Sequence, residues 1–151
     1  MIRLTEVLLP EHIVAPSQSR TRAAVYREAL ALGEASGALA EGSVSRLVEV
    51  LLERDRVIST AIGDGVALPH APVPGLKQGL VFLVRTEVPV TDCDPLDGRP
   101  VDLFVVVLTP EGEPGLHLRL LASIARVLSD PAKRDALDRA EGARAVLAAL
   151  E

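Results

Sequence analysis

Aromatic side chains are nearly missing from this chain: its 151 residues include one Tyr, two Phe and no Trp, 2% in all. Stacking platforms for bases or sugar rings are therefore scarce, which argues against single-stranded nucleic-acid binding. The core has to be built from Leu, Val, Ile and Ala instead. Basic charge is also short. Lys and Arg number 16 against 21 Asp and Glu, a formal net charge of -5, so the chain as a whole repels a phosphate backbone and no nucleic-acid partner is expected. The one cysteine, Cys93, can make no internal disulfide, and Asp92 and Asp94 on either side disfavour its thiolate, so we read it as structurally incidental. Long apolar runs are absent as well. The N-terminal stretch is broken by Glu6, Pro10 and Glu11, and runs such as Leu103 to Leu108 are far too short to cross a bilayer. The expectation is a cytoplasmic protein with no direct membrane insertion.

What is present is an ordinary globular composition, 48% hydrophobic and 25% charged, in a length that suits one domain covering residues 1–151. No internal repeat or low-complexity segment interrupts it. Ile13 to Ala15 reads as a strand, and the Ser17 to Ser19 cluster can cap a helix from about Arg20 towards Gly33. Val44, Leu47, Val48, Leu51 and Leu52 make a core-facing helical stripe behind Ser43, ending near Arg54. From Ile58 to Val107 the texture changes to short β-branched runs: Ala61-Ile62, Val66 to Leu68, Gly79 to Val84 and Val101 to Leu108. The last is apolar at alternate positions on both faces, as a strand covered by helices on both sides would be, which predicts three layers. A helix should run from Pro114 to Leu128 with His117, Leu121, Ile124 and Leu128 on one face, and two short helices should fill Pro131 to Leu150 around Glu141-Gly142.

Standard signatures mostly fail. Gly63-Asp64-Gly65 lacks the third glycine of a dinucleotide loop, no Lys follows a glycine-rich turn, and the three histidines have no metal-ligand spacing, so no metal or organic cofactor is expected. The run Asp92 to Gly98 imitates a calcium loop but carries Leu96 at the fifth position and Leu103 at the twelfth, and reads as an acidic turn. A Ser/His/Asp hydrolase would need a nucleophile elbow, and none is present. The informative stretch ends in Gly63-Asp64-Gly65-Val66-Ala67-Leu68-Pro69-His70, where a glycine-bearing hairpin delivers a histidine on a proline-fixed backbone. A neutral imidazole held through one ring nitrogen leaves the other lone pair free to attack a carbonyl or a phosphorus atom, although an ordinary loop histidine would have the same spacing.

An ordered set of motifs surrounds that histidine: Arg54-Asp55-Arg56, then Gly63 to His70, then Asp97-Gly98-Arg99-Pro100-Val101-Asp102-Leu103, then His117-Leu118. In this order and spacing, from about Leu4 to Leu150, the chain resembles the enzyme IIA domains of the fructose/mannitol class of the bacterial phosphotransferase system, a group that includes nitrogen-regulatory IIA proteins. Two positions depart mildly from that pattern, Ala71 where many relatives have Gly and Asp55 where Glu is usual. The resemblance implies an α+β fold, a three-layer α/β/α arrangement with a mixed β-sheet flanked by helices. It implies that His70 accepts a phosphoryl group from the histidine phosphocarrier protein, with Arg54 and His117 stabilising it. The group would then pass to a cysteine of a IIB domain in sugar uptake; alternatively, the phosphorylation state would control regulatory protein partners. Arg56 and His12 carry no motif role and read as a solvated arginine and an ordinary histidine. The small and apolar residues Pro69, Ala71, Pro72, Val73, Pro74 and Leu76 are expected to form an uncharged docking rim around His70.

Overall fold

The computed structural model describes residues 2–151. Its elements run α1 (Leu4–Val7), β1 (Leu8–Ser17), α2 (Arg22–Ala35), α3 (Val44–Val57), β2 (Ala61–Gly63), β3 (Val66–Ala67), β4 (His70–Val73), β5 (Leu80–Val90), β6 (Val101–Pro110), α4 (Pro114–Leu128), α5 (Pro131–Arg139) and α6 (Ala143–Leu150). Among the described residues the strands join in one mixed sheet of order β1-β5-β6-β3-β2, with β4 also pairing with β6. β1 runs parallel to β5, β5 antiparallel to β6, and both β3 and β4 parallel to β6. The fold is the predicted α+β arrangement, a mixed sheet between two helical layers.

β6 explains the layering. Phe104, Val106 and Leu108 point into one core with α2 and α3, while Leu103, Val105 and Val107 point into the other with α1, α4, α5 and α6. A strand whose alternate residues are all fully buried must have helices on both faces, because either set left in water would forfeit its whole transfer free energy. The two short C-terminal helices complete the second face through Leu137, Val146 and Leu150, as their pattern predicts.

Three local expectations shift. α2 is capped by Thr21, whose hydroxyl accepts from the Ala24 amide at 3.2 Å, because Ser17 belongs to β1 and both Ser17 and Ser19 turn their hydroxyls to Glu28. Ser43 precedes α3 but already has helical backbone angles, so its hydroxyl donates backwards to the Ala40 carbonyl at 2.6 Å instead of capping. On α4 the buried line runs through Leu120 and Ile124, with Leu116 packed beside them, one residue round from the predicted stripe. That rotation leaves His117 and Leu121 half-buried on the helix shoulder, and the shoulder faces the histidine hairpin.

Candidate functional site

β3 and β4 are successive stretches of one line along the same edge of β6. Val66 and Ala67 pair with Leu103 and Phe104, and His70 pairs with Val107 in the same register. The line is interrupted only at Leu68-Pro69. Pro69 has no amide hydrogen to give the ladder, though its carbonyl still accepts from Val107 at 2.9 Å, and the Leu68 amide turns away to the Thr60 carbonyl at 2.9 Å. The Leu68 carbonyl, on the side of the strand away from β6, accepts from Nδ1 of His70 at 2.7 Å. His70 therefore opens a new strand rather than ending the old one, and its imidazole is locked through one nitrogen. With Nδ1 donating to a carbonyl, Nε2 carries the lone pair, and it has no hydrogen-bond partner among the described residues.

Two further predicted residues converge on this ring. His117 stands in the opening turns of α4, which starts at Pro114 as the sequence implies, and its ring centroid lies 4.9 Å from that of His70 at 55°. Arg54, in the last turn of α3, borders both a cleft of about 450 Å³ that it shares with His70 and a neighbouring cleft of about 290 Å³ that it shares with His117. Burial holds the His117 pKa below the ordinary 6.5, and the neighbouring His70 ring and Arg54 guanidinium push the same way, so near pH 7 this second imidazole is neutral. His70 has a carbonyl, not a carboxylate, on Nδ1, which is not the arrangement of a Ser/His/Asp relay.

The residues without motif roles lie apart. Arg56 is two-thirds exposed and paired with Glu53 at 2.6 Å. His12 is a core residue, 1% exposed, bonded through Nε2 to the Ser36 hydroxyl at 2.8 Å and leaning on Phe82 with ring centroids 4.6 Å apart. Cys93 is buried, and burial, with Asp92 beside it, pushes its pKa up to about 12, so its thiol is inert as expected. The acidic turn is a latch: Asp92 accepts from the Arg22 amide and Asp97 from the Asp64 and Arg99 amides.

Sequence reasoning missed three features. Thr109, 1% exposed on β6, meets Nδ1 of His117 at 3.1 Å, and no local pattern marks it. Asp55, beside Arg54, is buried and held by the Tyr26 hydroxyl, by Thr60 at 2.8 Å and by Arg22 at 3.4 Å, which anchors the end of α3. The expected docking rim is also partly wrong. Pro69, Ala71 and Val73 are buried, because β4 is a true strand of the sheet and alternate residues from Ala71 face the core. Pro72 and Pro74 are exposed as expected and Leu76 packs half-buried against the core, while further exposed apolar side chains are Val57 at 79%, Ile58 at 75% and Ile62 at 46%, which line the His70 cleft, and Leu118 on α4 beside His117.

Both His12 and His117 have lowered pKa values, chiefly through burial. Below 6.5 an unfolded imidazole takes up a proton that the native ring refuses, so the unfolded state binds more protons and stability falls as the pH drops. The urea midpoint is expected to be lower at about pH 5.5 than at about pH 7.5, with the slope unchanged. An equal or higher midpoint at the lower pH would contradict this account of the two rings.

The sequence matches the family model described as "Phosphoenolpyruvate-dependent sugar phosphotransferase system, EIIA 2" over residues 6–151. It is 35% identical over 148 residues to a nitrogen regulatory protein of Bradyrhizobium diazoefficiens, covering 97% of this chain and 94% of that one. The crystal structure of the nitrogen regulatory protein IIA-Ntr from Neisseria meningitidis superposes with a TM-score of 0.86 at 33% identity, over 98% of this chain and 99% of that one. The fold is also shared with the complex of enzyme IIAMTL and phosphorylated enzyme IIBMTL from Escherichia coli, with a TM-score of 0.73 at 18% identity, over 93% and 94% of the two chains. No helix among the described residues is long and apolar enough to cross a membrane. Motif order, sheet topology and full-length similarity agree, and the chain belongs to the EIIA 2 family of the phosphoenolpyruvate-dependent sugar phosphotransferase system.

Proposed function

We propose that residues 1–151 act as one cytoplasmic phosphoacceptor domain in which Nε2 of His70 takes a phosphoryl group from a phosphohistidine of the histidine phosphocarrier protein. The observation that carries this reading is the bond from Nδ1 of His70 to the Leu68 carbonyl, which leaves Nε2 bare at a cleft shared with Arg54 and beside His117. In the transfer the Nε2 lone pair forms the new N–P bond while the donor's N–P bond breaks, and its electron pair returns to the donor imidazole. No proton has to move. The positive charge that develops on the His70 ring is met by the Leu68 carbonyl through Nδ1–H, and the phosphoryl oxygens are met by the Arg54 guanidinium and by His117. Glu111 and Glu113 also border the His117 cleft.

Downstream, the similarity to nitrogen regulatory proteins along nearly their whole length favours control of protein partners by the phosphorylation state. A second reading, delivery to a IIB cysteine during sugar uptake, is favoured by the fold shared with the mannitol enzyme IIA seen with its phosphorylated IIB partner. The exposed Val57, Ile58, Ile62 and Leu118 suit a transient protein contact under either reading.

Incubation with phosphoenolpyruvate, enzyme I and the phosphocarrier is expected to add one acid-labile phosphoryl group at Nε2 of His70, seen by mass and by phosphorus NMR. An unlabelled chain beside a labelled control would refute the reading. Arg54→Lys keeps the charge but loses the fixed pair of parallel donors, and it should slow transfer about tenfold or more. A wild-type rate in this variant would remove Arg54 from the site.

A further inference from the structure

We infer that Thr109 is a positioning residue that sets the tautomer of His117, keeping the proton on Nε2, where it can donate to a phosphoryl oxygen on His70; this rests on the proposed phosphoacceptor role of His70. Thr109 is 1% exposed, so its O–H cannot turn to solvent, and Nδ1 of His117 at 3.1 Å is its one hydrogen-bond partner among the described residues. A neutral imidazole can meet a hydroxyl in two ways. If Nδ1–H donated to Oγ1, the buried hydroxyl hydrogen would be left with no acceptor, and an unmatched buried donor bears its full desolvation cost. If the hydroxyl donates to the bare Nδ1, both groups are satisfied, and the ring proton must then sit on Nε2.

The neutral state this requires is already favoured. Burial, His70 and Arg54 all act against a proton on both nitrogens of His117. A neutral ring facing an anion is useful only if it presents N–H, since a lone pair towards a phosphoryl dianion repels it. The two histidines then form a complementary pair: on His70 the Leu68 carbonyl holds the proton on Nδ1 and frees Nε2 as nucleophile, while on His117 the Thr109 hydroxyl holds Nδ1 bare and makes Nε2 a donor. The rings, 4.9 Å apart, thus carry opposite tautomers and opposite roles. The same logic keeps His117 from competing as an acceptor, because its exposed nitrogen has no lone pair to offer.

The test reads the tautomer directly. Nitrogen-15 NMR of the unphosphorylated chain is expected to show His117 with a pyridine-like Nδ1 and a pyrrole-like Nε2, unchanged in Thr109→Ser, which keeps the hydroxyl. Thr109→Val, similar in shape but without the donor, should shift His117 towards the Nδ1–H form. It should also lower the maximal transfer rate from the phosphocarrier on the order of tenfold, with donor KM little changed. Thr109→Ser should restore both readouts, which a packing defect would not do. A wild-type His117 protonated on Nδ1, or a Thr109→Val variant with unaltered tautomer and rate, overturns the inference. If the tautomers respond as stated but the wild-type chain takes no phosphoryl group, the hold of Thr109 on His117 stands and the phosphoacceptor reading fails.

Discussion

His70→Ala is expected to take up no phosphoryl group from the phosphorylated phosphocarrier, under conditions in which the unsubstituted chain takes up one. Nothing else at the site can replace the lost nucleophile. His117 is the nearest imidazole, but with Thr109 donating to its Nδ1 it offers an N–H and no lone pair. Ser59 and Thr60 line the same cleft, yet their hydroxyls already donate to the Cys93 carbonyl at 3.0 Å and to Asp55 at 2.8 Å, and no general base is placed to activate either. His12 is sealed in the core against Phe82. The loss should be complete rather than partial, because removing the atom that forms the N–P bond removes the reaction path and not merely a stabilising contact. His70 is half-buried at the rim of the sheet, so the variant should keep its fold and its urea midpoint nearly unchanged. Labelling of the His70→Ala chain, at His117 or elsewhere, would show that the acceptor has been misassigned. Retained labelling with an acid-stable group would point to a hydroxyl acceptor instead.

Phe82→Ala is expected to destabilise the fold by about 3 to 5 kcal/mol, the largest effect we anticipate from one core substitution. Phe82 is fully buried on β5 and pairs with Val106 of β6, so it lies where two central strands meet the α2 and α3 layer. Its ring also fills space that α2 leaves open: a Cβ on Gly33 would come within 2.8 Å of Phe82 Cζ and 2.7 Å of Leu39 Cδ1. The helix approaches the sheet closely because position 33 has no side chain, and Phe82 occupies the room so gained. Truncation would leave a cavity that cannot collapse, since β5 and β6 are fixed by their ladder and α2 already rests on the sheet. The ring that leans on Phe82, His12, is tethered through Nε2 to the Ser36 hydroxyl, which opposes its moving in to fill the gap. Urea unfolding should show a lower midpoint with the slope unchanged, and the melting temperature should fall roughly 10 °C. A loss below about 1 kcal/mol would mean that the helical layer relaxes onto the sheet far more freely than this packing allows.

The pattern of residues by itself determined a good deal. The doubly apolar run from Leu103 to Leu108 required cover on both faces, and the structure supplies it with two separate cores. Pro114 and Asp130-Pro131 marked the ends of α4, because proline fits a first helical turn and breaks a helix that is already under way. The glycine-bearing hairpin and Pro69 showed that His70 would be held on a rigid mount, since both act through local backbone geometry. The order of the motifs identified the family. Other features depended on contacts between residues far apart in the chain, where local preferences have no say. Whether Ala71 and Val73 are rim or core depended on β4 pairing with β6, and that pairing buried them. Which face of α4 is buried was decided by the sheet it lies on; a rotation of one residue put His117 beside His70 rather than into the core. The cap of the first long helix went to Thr21 because β1 claimed Ser17. Thr109 meets His117 only because β6 and α4 meet across a tight turn, and the Leu68 carbonyl is open to His70 because it lies on the side of the strand away from β6. The proposed acceptor, His70, was therefore singled out by the order of its motifs in the sequence. The protonation of the two imidazoles was not legible there, because hydrogen-bond partners fix it, and only the tertiary structure brings those partners into reach.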